Sequence, residues 1–192
     1  MGLVRRIYLT LTLLVGSVPC VAQDPFSELE FHLQGSQNLG PNVLDGQWQM
    51  GRGAKVSVST PFYLGNWDMN FAIHRFNALS DVPGFGALWV SSGWGINVRL
   101  HPRLTIKPSL SIGNYRMSFD DSATTFSGES SESDFVGSLA MLISFDVGRR
   151  WFLYSQAEYL MVQTTPRINL WFLSTGIGFR VPTGKLIKAI LE

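Results

Sequence analysis

Apolar and polar side chains alternate with a period of two through most of this sequence. Residues 67–74 show the pattern, since Trp, Met, Phe and Ile are interleaved with Asp, Asn, Ala and His. Successive side chains of a β-strand point to opposite faces, so the pattern predicts strands that are apolar on one face and polar on the other. About eight such segments fall between residues 29 and 181, and helical periodicity is hard to find before the last dozen residues.

The segments are long for strands of a soluble protein. Most cover about nine residues or more, whereas a mean globular strand has about 5–6 residues and a tilted membrane-spanning strand needs about 9–11. Ten residues with a rise of ~3.3 Å and a tilt of ~45° span roughly 23 Å, close to the ~25 Å lipid-facing band of an outer-membrane barrel. Beyond the N-terminal segment no run of about 18 apolar residues occurs, which excludes a helical membrane protein.

The connections between the segments alternate in length, which indicates a polarity for the predicted barrel. Outer-membrane barrels have short periplasmic turns and longer outer loops, and the order long, short, long fits an N-terminus in the periplasm. The long connections are roughly residues 37–52, 77–86 and 120–134, and the short ones centre on Gly65-Asn66, Pro102-Arg103 and Gly148-Arg149.

The N-terminal segment has the features of an export signal. Arg5 and Arg6 precede an apolar run at residues 7–15, and Cys20-Val21-Ala22 gives a small–any–small cleavage pattern. We therefore expect a signal peptide at residues 1–22, a barrel at 23–181 and a C-terminal tail at 182–192. The single cysteine of the chain lies within the signal, so disulfides and thiol chemistry are excluded for the mature protein.

Aromatic residues near the strand ends predict two girdles, as found where membrane barrels meet the two lipid–water interfaces. One row beside the short turns comprises Tyr63, Trp67, Phe145 and Trp151, and a second row near the opposite ends comprises Tyr115, Phe135, Tyr159 and Trp171. In the fourth segment Trp89 and Trp94 are five positions apart, so a regular strand cannot point both outward, and we predict a bulge at Ser91-Ser92-Gly93.

With these features the chain resembles the small eight-stranded outer-membrane barrels of the outer membrane protein A, X and W type. The resemblance covers residues 23–181 and includes a final strand reading Leu-Ser-Thr-Gly-Ile-Gly-Phe-Arg-Val at 173–181. It implies an all-β, eight-stranded, antiparallel, up-and-down transmembrane barrel in the cell outer membrane, in contact with lipid and inserted by the barrel-insertion machinery. Such families often end on an aromatic residue, whereas here a tail follows Phe179; that tail forms either a short amphipathic helix or a frayed terminus.

The interior of an eight-stranded barrel is just wide enough for side chains to fill. If the apolar set faces lipid, polar residues of both charge signs face inward, and buried charges persist only when they are paired. We therefore predict a structural polar network that plugs the lumen, with a narrow polar pathway or small-ligand site as the alternative. The network consists of Glu30, His32, Lys55, Asn70, Arg99, Lys107, Gln156 and Glu158.

Motifs for catalysis, cofactors and metals are not found. None of the three histidines has a second His or Cys at metal-ligand spacing, and no phosphate loop or serine elbow occurs. A formal net charge of +1 excludes a strongly basic nucleic-acid binder. His74 is the best candidate for a catalytic histidine of a lipid A-modifying enzyme, but Phe76 stands where the lipid A deacylases have a serine.

The sequence thus predicts a non-enzymatic outer-membrane barrel with a structural or surface-interaction role, and with partners that bind the outer loops at 37–52 and 120–134. The first alternative is a soluble, secreted, lipocalin-like barrel that binds an apolar ligand, in which the two strand faces would be exchanged. Charged residues make up 15% of the chain, and the ~25–35% wanted for a soluble surface favours the membrane protein. The second alternative is the lipid A-modifying enzyme.

Overall fold

A computed structural model of the chain describes residues 24–40, 44–120 and 131–184. It consists of β-strands, and no helix in the described part is long and apolar enough to cross a membrane. The strands are β1 (Glu28–Asn38), β2 (Trp48–Phe62), β3 (Gly65–Ala78), β4 (Phe85–Gly95), β5 (Val98–His101), β6 (Leu104–Phe119), β7 (Ser131–Asp146), β8 (Trp151–Val162) and β9 (Ile168–Pro182).

The strands close into a single antiparallel barrel. Among the described strands, those that are consecutive in the chain pair with each other, apart from β4 and β5, and β1 closes the ring by pairing with β9 from Glu28↔Pro182 to Asn38↔Phe172. Both β4 and β5 pair with β6, so together they form one barrel strand that is interrupted at Ile96 and Asn97. The predicted eight-stranded, up-and-down barrel is confirmed. Closure of the ring removes the free edges that an open sheet of these strands would have.

The apolar set of every strand faces the exterior, and the other set faces the lumen. Along β3, Met69, Phe71 and Ile73 are about half exposed, Phe71 to 50%, whereas Asp68 and His74 are buried. The same order holds on β7, where Leu139, Met141 and Ile143 lie outside. The exterior is therefore more apolar than the mid-lumen, which is the reverse of a soluble barrel, and the lipocalin-like interpretation is wrong.

Strand ends divide the barrel into a turn end and a loop end. At the turn end the connections are Tyr63-Leu64, Pro102-Arg103 and residues 147–150, and at the loop end they are residues 39–47, 79–84, 120–130 and 163–167. The strands extend further toward the loop end than predicted, because polar residues such as 131–134 continue to pair with β6. Both described chain ends lie at the turn end, where Thr183 N donates to Ser27 O at 2.9 Å.

The predicted bulge in the fourth segment is wrong. Pairing of β4 with β3 and with β6 runs through residues 91–93 without a shift. Regular alternation therefore places Trp89 in the lumen and Trp94 on the outer face, where it contacts the Phe62 ring at 5.6 Å. The irregularity of this strand lies instead at the break between β4 and β5.

Two predicted segments fall outside the described residues. The signal peptide at 1–22 lies before Asp24, the first described residue, and the tail, predicted to form either an amphipathic helix or a frayed terminus, lies outside the described residues after Gly184. Strand β9 runs to Pro182, one residue beyond the predicted end of the barrel.

Candidate functional site in the barrel lumen

The loop end of the lumen is filled by apolar side chains. Trp89 of β4 and Tyr115 of β6 are each 1% exposed and pack in one cluster with Phe76, Phe85 and Phe172. Leu44, from the connection between β1 and β2, is buried in the same cluster, and the indole of Trp48 donates to Pro83 O at 2.7 Å. We call this cluster, whose first member in the chain is Leu44 and whose last is Phe172, the apolar plug. Its side chains come from the strands and from the loop residue Leu44, and together they close the lumen at its loop end.

Sequence reasoning missed this plug because it assigned polar residues to the whole interior. A signal was present, since residues 159–162 read Tyr-Leu-Met-Val and residues 170–173 read Leu-Trp-Phe-Leu. Continuous apolar runs within a strand indicate burial of both faces. Toward the loop end, both the exterior and the lumen are therefore apolar.

Below the plug lies a buried ion pair between opposite sides of the barrel. Lys55 Nζ of β2 is 2.9 Å and 3.1 Å from the two carboxylate oxygens of Glu158 on β8, and both side chains are almost fully buried. Glu158 also accepts a hydrogen bond from Ser138 at 3.2 Å. The Lys55 ammonium lies 4.5 Å from the centre of the Trp89 ring, a cation–π contact that joins the ion pair to the plug.

A second buried pair lies nearer the turn end. Lys107 Nζ of β6 donates to Asp68 at 2.8 Å and to Ser59 at 3.2 Å. The two pairs line a common cavity of about 20 Å³, room for about one water molecule. Hydrogen bonds between uncharged side chains also cross the lumen, and one of them joins Gln34 to Gln156 at 3.3 Å.

The third ionic cluster lies at the turn end and is centred on Arg180 of β9. Its guanidinium donates to Glu30 at 2.7 Å and to Asp146 at 2.6 Å, and Glu28 lies 3.8 Å away. The Arg180 guanidinium also stacks on the Phe152 ring at 4.5 Å. Charge-assisted hydrogen bonds of this length are the strong class, so Arg180 fixes the ends of β1, β7 and β9 relative to one another.

Beyond Arg180 the lumen widens into a cavity of about 1050 Å³ that is open at the turn end. We call this cavity the vestibule. Basic residues are more numerous than acidic ones in its wall, which comprises Glu28, Glu30, His32, Asn97, Arg99, Pro102, Arg103, Thr105, Lys107, Leu142, Ser144, Asp146, Val147, Gly148, Arg149, Phe152 and Arg180.

The structure places six of the eight predicted network residues in the buried lumen, namely Glu30, His32, Lys55, Lys107, Gln156 and Glu158. Asn70 is half-buried and donates to Ser91 at 3.2 Å between adjacent strands. The prediction for Arg99 is wrong. This residue lies on β5 after the strand break, is exposed, and lines the vestibule without joining a buried ion pair of the described residues.

Seven of the eight predicted girdle residues lie on the outer face. At the turn end the Trp151 ring contacts the Phe179 ring at 4.5 Å, and at the loop end Tyr159 contacts Trp171 at 4.7 Å. Tyr115 is the exception, because it is buried in the plug. Same-face residues of a strand are an even number of positions apart, and Tyr115 is three residues from the outward Ile112. The prediction was therefore wrong by parity.

His74 also lies inside the barrel and not at the lipid-facing rim that an acyl hydrolase needs. Its ring stacks on Phe172 at 4.6 Å, and its Nδ1 makes no hydrogen bond with the described residues. In the described part of the chain, no group of three or more His, Cys, Asp or Glu side chains is arranged to hold a metal ion.

A surface ion pair lies at the loop end, where Arg75 of β3 donates to Asp120, with one contact of 2.9 Å. The hydrogen bond from Arg75 lowers the pKa of the Asp120 carboxyl below its ordinary value. This pair joins the end of β3 to the start of the connection after β6, across the intervening β4.

Comparison with solved structures shows the same fold at low sequence identity. The attachment invasion locus protein Ail of Yersinia pestis gives a TM-score of 0.54 at 15% identity, with 81% of this chain and 99% of that chain covered. Ail in complex with the heparin analogue sucrose octasulfate gives 0.53 at 16%, with 83% and 100% covered. A major outer membrane protein from Thermus thermophilus gives 0.56 at 9%, with 80% and 99% covered. No protein-family model and no curated protein matches the sequence. The fold is thus that of small outer-membrane β-barrels.

Proposed function

We propose that the protein is an integral barrel of the bacterial outer membrane, with a closed lumen and a role in structure or surface interaction. The observation that carries the proposal is the distribution of the two faces, since Phe71, Leu110 and Met141 lie outside while Lys55 and Glu158 are buried inside. In water this arrangement would expose a continuous apolar exterior, far larger than the patches that soluble monomers expose. Lipid is the solvent that stabilises such an exterior.

Closure of the lumen supports a role other than general diffusion. Water and ions entering from the loop end would meet the apolar plug around Trp89 and Tyr115. Behind it lie the Lys55–Glu158 and Lys107–Asp68 pairs. A solute would have to displace close-packed aromatic rings and two buried ion pairs, so we propose that the lumen acts as a structural core.

Exposed aromatic residues at both ends of the strands support a position in which the strands cross the membrane from one interface to the other. Tyr63, Trp67 and Trp151 are exposed at the turn end, and Phe135 and Trp171 at the loop end. Amphipathic rings of this kind favour the headgroup region. We propose that the two rows mark the membrane interfaces, with the vestibule facing the periplasm and the loop end facing outward.

The outer connections are the surfaces that we propose for partner binding. Residues 120–134 contain five carboxylates, Asp120, Asp121, Glu129, Glu132 and Asp134, and no basic residue. Ail forms a complex with the heparin analogue sucrose octasulfate, a polyanion. Negative charge at 120–134 would repel such a polyanion, so we propose that a partner of this connection is cationic.

Cell fractionation combined with electrophoresis tests the membrane assignment. The protein should be recovered with the outer membrane, require detergent for extraction, and migrate at different apparent masses with and without boiling. Recovery as a soluble periplasmic protein without a mobility shift would contradict the proposal.

Vesicles that carry the refolded barrel test the loop assignment. They should bind immobilised polylysine more than immobilised heparin, and this preference should decrease with salt and on replacement of Asp121 and Glu129 by Asn and Gln. A control variant, Asp24→Asn, removes an exposed carboxylate at the turn end and should keep the preference. Stronger binding to heparin by the unaltered protein would contradict the assignment.

A further inference from the structure

We propose that the vestibule is a binding site for a small zwitterion, namely an amino acid or short peptide with free amino and carboxyl termini. Its wall is divided into a cationic half and an anionic half, and each half would bind one end of the ligand. The site lies at the turn end and is separate from the loops proposed for partner binding.

The cationic half consists of Arg99 on β5, Arg103 in the turn that follows, and Arg149 in the turn after β7. None of the three forms an ion pair with a carboxylate of the described residues, unlike Arg180, Lys55 and Lys107. Guanidinium groups present a planar fork of donors that matches a carboxylate in bidentate geometry. This half therefore offers unused donors of the type that binds a carboxylate.

The anionic half consists of Glu28 and Glu30 on β1, which lie within 4 Å of the Arg180 guanidinium. Asp146 also bonds to Arg180, but it lies on β7 within the cationic half, where its backbone N donates to Arg103 O at 2.9 Å. Glu28 has the longest contact, 3.8 Å, and is only partly buried. Negative charge in excess at this position attracts an ammonium group, and Glu28 is the carboxylate best placed to accept its hydrogen bonds.

The order of strands in the barrel places the cationic half and the anionic half of the vestibule wall on opposite sides of its mouth. β1, which carries Glu28 and Glu30, lies three places from the strand formed by β4 and β5, and four places from β6 in a ring of eight. Arg99 and Arg103 therefore lie on the side of the mouth opposite β1. A ligand with its charges at opposite ends can contact both sides at once.

The floor of the vestibule carries a further polar atom. His32 is buried and lines the cavity, and its Nε2 lies 3.7 Å from a Glu30 carboxylate oxygen, beyond hydrogen-bond distance. The rings of Phe152 and Tyr154 pack edge-on against the imidazole and hold its orientation. The volume of about 1050 Å³ is just above the usual range of about 300–1,000 Å³ for small-molecule sites, so a short peptide fits with accompanying water.

Binding of trialanine to the purified full-length barrel in detergent tests the proposal by nuclear magnetic resonance titration. Trialanine should bind with a dissociation constant in the millimolar range or below. Its C-terminally amidated and N-terminally acetylated forms should bind at least fivefold more weakly. Because the site is open to solvent, added salt should weaken binding as well.

Variants assign the contacts. Arg99→Gln with Arg149→Gln should weaken trialanine binding at least tenfold, and Glu28→Gln should weaken it at least threefold. The matched control, Arg52→Gln with Arg167→Gln, removes equal charge from exposed positions outside the vestibule and should bind as the unaltered protein does. Heat-dependent electrophoretic mobility verifies that each variant is folded.

Three results would overturn the proposal. Trialanine could fail to bind the folded barrel at millimolar concentration, or the control variant could lose as much affinity as the vestibule variant. Succinate, a dianion without an ammonium group, could bind more tightly than trialanine, which would make the site a plain anion site. None of these results depends on the membrane in which the protein resides, so failure here is distinguishable from failure of the membrane assignment.

Discussion

The Lys55–Glu158 pair is the contact whose removal should change the stability of the barrel most clearly. At 2.9 Å and an effective dielectric constant of about 20, its Coulomb attraction is about 6 kcal/mol. Desolvation of the two buried ions offsets much of this value, at several kcal/mol per ion. The net contribution of the pair to the free energy of unfolding is therefore small. Loss of one partner, however, leaves the other charge buried and unpaired, which costs roughly 3–5 kcal/mol.

A double-mutant cycle measures this effect. Glu158→Gln keeps one carbonyl acceptor for Lys55, so we expect a loss near the lower end of that range, about 3 kcal/mol. Lys55→Met leaves Glu158 with only the Ser138 hydroxyl as a hydrogen-bond donor among the described residues and should cost about the same. The double variant removes both charges and should cost only about 2 kcal/mol, so that the coupling energy between the two sites is about 4 kcal/mol.

The assay is urea unfolding of the refolded barrel in detergent or thin bilayers, followed by tryptophan fluorescence. Glu132→Gln is the matched control, since Glu132 is an exposed carboxylate at the loop end and its replacement should change the free energy of unfolding by less than about 0.5 kcal/mol. A Glu158→Gln variant as stable as the control would refute the reasoning. Additive losses in the double variant would show that the two charges do not interact.

Three further perturbations probe other parts of the barrel. Leu110→Arg and Met141→Arg place a charge on the exterior and should each cost ~2–4 kcal/mol in bilayer unfolding experiments; neutral variants would mean that the facing is wrong. Trp89→Ala removes the largest side chain of the plug and should lower the free energy of unfolding by roughly 3–5 kcal/mol. It should also raise ion leakage in planar bilayers, and unchanged leakage would argue against the plug as the barrier to ions. The hydrogen bond from Arg75 lowers the pKa of Asp120, so the pair stabilises the folded barrel above the ordinary pKa of 3.8, and this stabilisation is lost as the pH falls below that value. Asp120→Asn should remove this pH dependence and should lower the free energy of unfolding by less than ~1 kcal/mol, because the pair is exposed.

The sequence predicted side-chain facing well because facing depends on parity alone. Lys55, Lys107 and Glu158 were assigned to the lumen from alternation along their own strands, and all three are buried there. Tyr115 was misplaced where position near a strand end was given more weight than parity. A count from Ile112 would have placed it inside the barrel.

Ion-pair partners could not be predicted in the same way. Lys55 and Glu158 lie on strands that are not neighbours, so their contact depends on the stagger of the whole ring, to which every pairing register contributes. Arg99 illustrates a local limit, because the break between β4 and β5 moves it out of the buried lumen to the mouth. The apolar plug was missed because the whole interior was assigned to polar residues, although the apolar runs at 159–162 and 170–173 indicated burial of both strand faces.

The central claim is that the apolar face of this barrel contacts lipid and the polar face lines a closed lumen. Single cysteines placed in turn at positions 139–143 and labelled with a fluorophore test it most directly, in vesicles whose lipids carry a quencher in the acyl chains. The account predicts strong quenching at 139, 141 and 143, and weak quenching at 140 and 142, with a period of two residues. Quenching that is weak throughout, or strong at the even positions, would contradict it.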